Sequence, residues 1–293
     1  MSLNPSTIVD VFPVGSTLWK KRAGAKKVKV QLVGAGASGQ GQINAANAAE
    51  NTGALFGGGP GGYAEFEFAA DMLGATETVI VGAGGASLPA SSAHNLVAVA
   101  GNPGGNTSFG DWMVARGGKG DANQGRSFLA NTNSGTTGNT YQGGSGNSSP
   151  AAQNPALFMG GGGGAGQTQT GGALQALGVG SDGNPIQTTT PTLPGNLVPG
   201  RFNPALGGLG GGRPGNATRN GQAGLSFGAS SVIAGTGGGG GQTTQDGVAG
   251  GDGGDGGFPG GGGGAAGFGV GVGVPSGKSG KGGDGIAIVT TYF

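Results

Sequence analysis

Apolar and polar residues alternate with a period of two in several stretches of this chain. Val28, Val30 and Leu32 fall on one side of an extended segment and Lys29 and Gln31 on the other, the pattern of a strand with one face buried. Ala64, Phe66 and Phe68 alternate in the same way with Tyr63, Glu65 and Glu67, and residues 77–81 read as another strand running into the turn VGAGG. Residues 96–100 and 112–115 carry weaker versions. The closing residues IAIVTTYF are β-branched and aromatic, which favours a final strand, and Thr7, Ile8, Val9 and Val11 are strand-like near the start. The pattern predicts a β-sandwich whose two ends meet. Helix is scarce, with a turn or two expected over 44–50.

A second period is three. In DGVAGGDGGDGGFPG, residues 246–260, one register holds Asp246, Ala249, Asp252, Asp255 and Phe258 while the other two are almost entirely glycine. Three residues per turn is the repeat of the polyproline II helix, which makes no internal hydrogen bonds. Its N–H and C=O groups must therefore find partners on neighbouring strands when buried. The expected fold is all-β: a sandwich capped by a bundle of polyglycine II helices, with long loops and almost no α-helix.

Composition sharpens this picture. With 78 glycines and 15 prolines, close to a third of 293 residues, the chain enters the range that signals low complexity or disorder. Yet charged residues make up only 9%, formal net charge is +1 and mean hydropathy is −0.09, whereas disordered chains pair low hydrophobicity with high charge. Glycine is not strictly every third residue, so collagen is excluded. The expected organisation is an N-terminal docking segment over 1–12 and a single glycine-rich β domain over 13–293. That domain is strand-rich over 13–130, loop-rich over 131–200 and polyglycine-rich over 201–285, with a closing strand over 286–293. FMGGGGGAG at 158–166 recurs as FPGGGGGAAG at 258–267, hinting at a repeated strand-plus-glycine unit.

Several motifs dissolve on inspection. Gly34-Ala35-Gly36-Ala37-Ser38-Gly39 is a GxGxxG after a strand, but glycine is frequent enough to produce such matches by chance and no helix follows to hold a pyrophosphate. GVGVPSGKS at 271–279 misses the first glycine of a phosphate loop by register. GGDGGDGGF at 250–258 resembles a calcium-binding nonapeptide with its apolar position one place late, and in a single copy. Asp252 and Asp255 are better explained as carboxylates on the exposed edge of a glycine helix.

Catalysis is hard to build here. The single histidine, His94, lies in a loop-like stretch, and Glu65 and Glu67 fit the polar face of a strand. No enzyme, cofactor or metal is expected. Cysteine is absent, so there is no disulfide framework. The first residues lack a basic-then-apolar signal pattern and no run of about 18 apolar residues occurs, so neither membrane insertion nor export by a cleaved signal is expected. Lys20, Lys21, Arg22, Lys26, Lys27 and Lys29 cluster without interleaved aromatics, which argues for a protein contact or a solvated strand edge over nucleic acid.

The order of Phe12-x-x-Gly15-x-x-x-Trp19, KVKVQLVGAG, GGPGGYAEFEF, TVIVGAGG, GGNTSFGDWMVARGG, FMGGGGG and GKGGDGIAIVTTYF resembles the glycine-rich domains of bacteriophage tail fibres and tail-tip adhesins. The resemblance runs from about Phe12 onward. It implies a β-sandwich from which polyglycine II helices extend, with loops at the far end contacting host sugars or outer-membrane proteins. It also implies a virion location in a tail or fibre after synthesis in the host cytoplasm, tail proteins as neighbours and a homotrimer. The alternative role is a virion structural or decoration protein. For receptor contact the candidate residues are Tyr141, Gln142, Asn147, Gln167, Thr168 and Gln169 in the loop-rich stretch, with Asp252 and Asp255 as edge residues.

Overall fold

The computed structural model describes residues 7–47, 55–120, 126–127, 129–130, 141–142, 168–170, 173–175, 220–224, 226–228, 235, 237–241 and 247–293. Its strands in chain order are β1 (Thr7–Phe12), β2 (Gly15–Lys20), β3 (Lys27–Val33), β4 (Asn44–Ala45), β5 (Tyr63–Ala69), β6 (Thr76–Val81), β7 (Thr107–Phe109) and β8 (Met113–Ala115). They continue with β9 (Arg126–Ser127), β10 (Leu129–Ala130), β11 (Tyr141–Gln142), β12 (Thr168–Thr170), β13 (Ala173–Gln175), β14 (Gly269–Val270) and β15 (Ile286–Tyr292). A short 3₁₀ turn, Ala70–Met72, joins β5 to β6, and no α-helix occurs among the described residues. The fold is all-β.

Two antiparallel sheets form the sandwich. One has the order β1-β15-β3-β5, the other β10-β8-β7-β6-β2. The last strand inserts between the first and the third, so the two ends of the sequence meet in one sheet. Alternation decides what is buried: Val28, Val30, Leu32, Phe68, Ala287 and Val289 from the first sheet meet Trp19, Val79, Val81, Phe109 and Met113 from the second. Trp19 tilts against Phe109 at 5.5 Å between ring centroids, and Phe68 stacks on Phe109 from the opposing sheet. Phe66 shares the inner face of β5 with Ala64 and Phe68 but is half exposed, because β5 ends its sheet.

Two sequence expectations change. Residues 44–45 form the bridging strand β4, paired in parallel with β14, where a helical turn was expected. Residues 96–100 are not a sheet strand; apart from a single bridge between Gly41 and Val99, they run as part of the glycine bundle. Gly101, directly after the second stretch, packs against the Ser38 backbone, and such close backbone packing outweighs local propensity there.

The sheet strands run without interruption into the bundle. β3 leads into 34–43, 55–62 leads into β5, β6 into 82–91, 97–105 into β7, β8 into 116–120, and 274–285 into β15. The 34–43 segment lies at the centre. Gly34, Ala37 and Gln40 donate their N–H groups to Gly62, Gly59 and Phe56; Ala35, Ser38 and Gly41 donate to Gly105, Asn102 and Val99; Gly36 and Gly39 donate to Gly283 and Gly280. In each set the donor advances by three residues while the acceptor retreats by three, as antiparallel three-fold helices require. The central carbonyls in turn accept from Gly85, from Gly118, and from Gly263, Ala266 and Gly269 of a parallel neighbour. Six neighbours thus surround 34–43, and they bond to one another around the ring. Gly59 donates to Lys119, Gly104 to Gly118, Gly105 to Ala83, Gly282 to Gly85, Gly283 to Gly261 and Gly58 to Gly263.

This packing explains the glycine. A side chain on Gly36 would run into the carbonyl of Gly261, one on Gly61 into that of Gly34, and one on Gly282 into that of Gly36. Backbones touch directly, so the bundle satisfies its polar groups by leaving no room for a Cβ. Three further segments, described over 220–224 and 226–228, over 237–241 and over 247–258, extend the lattice on one side through bonds such as Gly221 to Asp252, Gly241 to Ala265 and Gly253 to Lys278.

Candidate functional site

The outer layer of the bundle divides its three registers by task. In 249–258, Gly250, Gly253 and Gly256 donate to Pro275, Lys278 and Lys281. Gly251, Gly254 and Gly257 are buried against the neighbouring helices, while Ala249, Asp252, Asp255 and Phe258 are partly or fully exposed. Phe258 folds over the outer face of the first sheet beside Val33, Tyr63, Ile286 and Ile288, tying the bundle to the sandwich.

Asp252 and Asp255 complete the ladder. The Asp252 carboxylate accepts the Lys278 N–H at 2.7 Å and the Asp255 carboxylate accepts the Lys281 N–H at 2.7 Å. Each of these lysines also accepts through its carbonyl from the glycine that follows the aspartate, so every Asp-Gly pair grips one residue at both backbone groups. Asn220 with Gly221 holds Asp252 in the same way, and Ser226 with Phe227 holds Phe258. Three residues along such a helix is about 9 Å, so the two carboxylates are spaced along an edge and do not converge on one ion. Among the described residues no group of three or more His, Cys, Asp or Glu side chains could hold a metal.

Asp284 accepts from the Gly84 N–H at 2.8 Å and pairs with Lys281 at 3.1 Å. The same two-point contact recurs with serine and glutamine in antiparallel pairs: Ser276 on Ser91, Ser279 on Leu88, Ser38 on Asn102 and Gln40 on Phe56.

The sandwich strands that continue into the bundle enter it at one end, where the 258–260 turn also lies, and the segments around Asn44, Asn95 and Val272 lie at the other. There Asn44 and Asn95 exchange both backbone hydrogen bonds, and the Asn95 amide donates to the carbonyls of Gln42 and Val97 at 3.0 and 2.8 Å. Gln42 adopts a φ of 63°, a left-handed conformation uncommon for a residue with a side chain, and its amide reaches the Pro89 carbonyl. His94 is exposed on this end, as are Val97 and, at 90%, Val272. The end is therefore a tightly bonded backbone knot that carries amides and single aliphatic side chains.

Of the residues named from the sequence as receptor contacts, Tyr141 and Gln142 form β11, whose backbone pairs with Ser127 and Arg126 of β9. Thr168 and Gln169 belong to β12, opposite Gln175 and Leu174 of β13. Asn147 and Gln167 lie outside the described residues. Within 131–200 the described residues are those of β11, which pairs with β9 just before that stretch, and of the β12–β13 pair. Its run of Thr and Gln, TQT, was a β-branched signal too brief to stand out.

The polar face of β3 and β5 holds an ion-pair network. Lys27 pairs with Glu67, and Lys29 with Glu65 at 3.0 Å. The Tyr63 hydroxyl donates to Glu65, and the Gln31 amide donates to the same carboxylate at 2.6 Å. Burial pushes the Glu65 carboxyl upward, but hydrogen bonds from Tyr63, Lys29 and Gln31 together outweigh it and hold the group below its ordinary value. Burial, reinforced by the bond to Glu65, drives the Tyr63 hydroxyl well above its ordinary range. The hydrogen bond to Glu67 raises Lys27. Glu65 and Glu67 are thus paired within a sheet surface, as their spacing predicted.

Among the described residues no helix is long and apolar enough to cross a membrane. A comparison with curated proteins gives no match. The family model described as a glycine-rich domain matches residues 12–292, which takes in the sandwich from the end of β1 and every segment of the bundle. The ladder built on bare glycine backbone is the physical counterpart of that match, and the chain belongs to the glycine-rich domain family.

Proposed function

We propose that this chain is a bacteriophage virion protein of the tail fibre or tail tip, a host-receptor-binding adhesin that acts without catalysis. One observation carries the reading: the hexagonal bundle projects from one end of the sandwich, so a column whose central helix bonds to six neighbours presents backbone-bonded amides and exposed aliphatic side chains around Asn44, Asn95 and Val272 at its tip. A column whose backbone groups bond to six neighbours resists bending, and binding residues gain from being held on a rigid scaffold. In this reading the sandwich faces other tail proteins and the far end meets a host surface glycan or an outer-membrane protein.

The test is competition and localisation. Purified protein added to host cells should block adsorption of the phage that encodes it, and immunogold should place it at a tail or fibre tip. Label on the capsid with adsorption unaffected would replace the adhesin with a structural or decoration protein.

A further inference from the structure

Among the described residues the sandwich is open along one side. β1 ends the first sheet and pairs with β15; β2 ends the second and pairs with β6. The two strands are joined through Pro13 and Val14, so both free edges lie together. Natural sheets blunt such edges with lysine, proline, a bulge or an inward charge, because a bare row of N–H and C=O groups templates pairing with another chain. β1 carries none of the first three. Its register with β15 is continuous from Thr7 to Phe12, and its one charge, Asp10, is engaged by Arg22 at 3.1 Å. On the outer face of β1, Val9 is 54% exposed beside Val11, and on the outer face of β2, Leu18 is 58% exposed. Exposed aliphatic side chains therefore flank the double edge on both faces.

We infer that this edge pairs with a second copy of the chain, β1 against β1 in antiparallel orientation about Val9. The strand is complementary to itself in that register. Val9 lies opposite Val9 of the second copy, Thr7 opposite Val11, and Ile8 opposite Asp10, so the outward face becomes a row of β-branched pairs. Moving the axis to Asp10 would set two carboxylates opposite each other, which disfavours that alternative. A two-fold contact of this kind is isologous and closes on itself, and it carries the first sheet across two protomers. The inference stands apart from the proposed role, since it concerns assembly alone.

The test uses the full chain, which has no cysteine of its own. Sedimentation equilibrium should give twice the 27.4 kDa chain mass. Val9→Cys should form a disulfide-linked dimer under mild oxidation, while Val272→Cys, at the far end of the bundle, should not. Val9→Lys places like charges across the axis and should weaken self-association by about tenfold or more. A monomer at tens of micromolar, a three-copy mass, or equal cross-linking at positions 9 and 272 would each overturn the inference.

Discussion

Ser38 grips Asn102 at two points: its N–H donates to the Asn102 carbonyl at 3.0 Å, and its hydroxyl oxygen accepts the Asn102 N–H at 2.8 Å. Ser38 is fully buried in the central glycine helix. Ser38→Ala keeps the Cβ and removes the acceptor, leaving a backbone donor unpaired. It should lower stability by about 1–2 kcal/mol in denaturant titration. Ser38→Thr should not restore the loss, since the added methyl enters packed backbone.

Glycine tolerance should follow backbone proximity. Gly36→Ala drives a methyl into the Gly261 carbonyl and should cost about 3 kcal/mol, the upper end of overpacking effects. Gly41→Ala meets the Ala266 and Leu88 side chains at 3.4 and 3.8 Å, and its effect should stay within about 1 kcal/mol. Comparable losses at the two positions would contradict the hexagonal packing.

The aspartates along the bundle edge act as acceptors. Asp252→Asn and Asp255→Asn keep a carbonyl oxygen and should leave the fold unchanged, whereas the double alanine variant frees the Lys278 and Lys281 N–H groups. Hydrogen exchange should then accelerate at those two amides by roughly tenfold, with sandwich amides unaffected.

Stability should fall at both extremes of pH through one pair. The Glu65 carboxyl titrates lower in the folded state than in the unfolded chain, so its contribution is present above about pH 4.5 and disappears as pH falls through the folded value. The Tyr63 hydroxyl titrates higher when folded, so its contribution is intact below about pH 10 and is lost as pH rises further. Tyr63→Phe should flatten the alkaline limb of a stability profile and also soften the acid limb, because Glu65 loses a donor.

The sandwich was legible because alternation survives in β3, β5 and β6, where Val28, Val30 and Leu32 announce their buried face without help from context, and because β-branched and aromatic residues mark β15. The period-three register of Asp252, Asp255 and Phe258 likewise marked an outward row of a three-fold helix. Neither period reveals which helices are neighbours. Gly36 meets Gly283 across most of the chain, and nothing near either residue encodes that pairing. The side-chain acceptors were missed for a related reason. Ser276 and Ser279 differ from other serines only in which amide lies opposite them, although a short polar residue every third position was a usable clue.

Inserting β15 between β1 and β3 has a kinetic consequence. The first sheet cannot close until Ile286–Tyr292, made after every other described element, has left the ribosome. Contacts this distant in sequence slow folding, since a long loop must close before any of them is rewarded. A nascent chain therefore lacks the 274–285 neighbour of its central glycine helix, and keeps β1 apart from β3, until translation passes β15, so a chaperone would meet two open strand edges rather than a finished column.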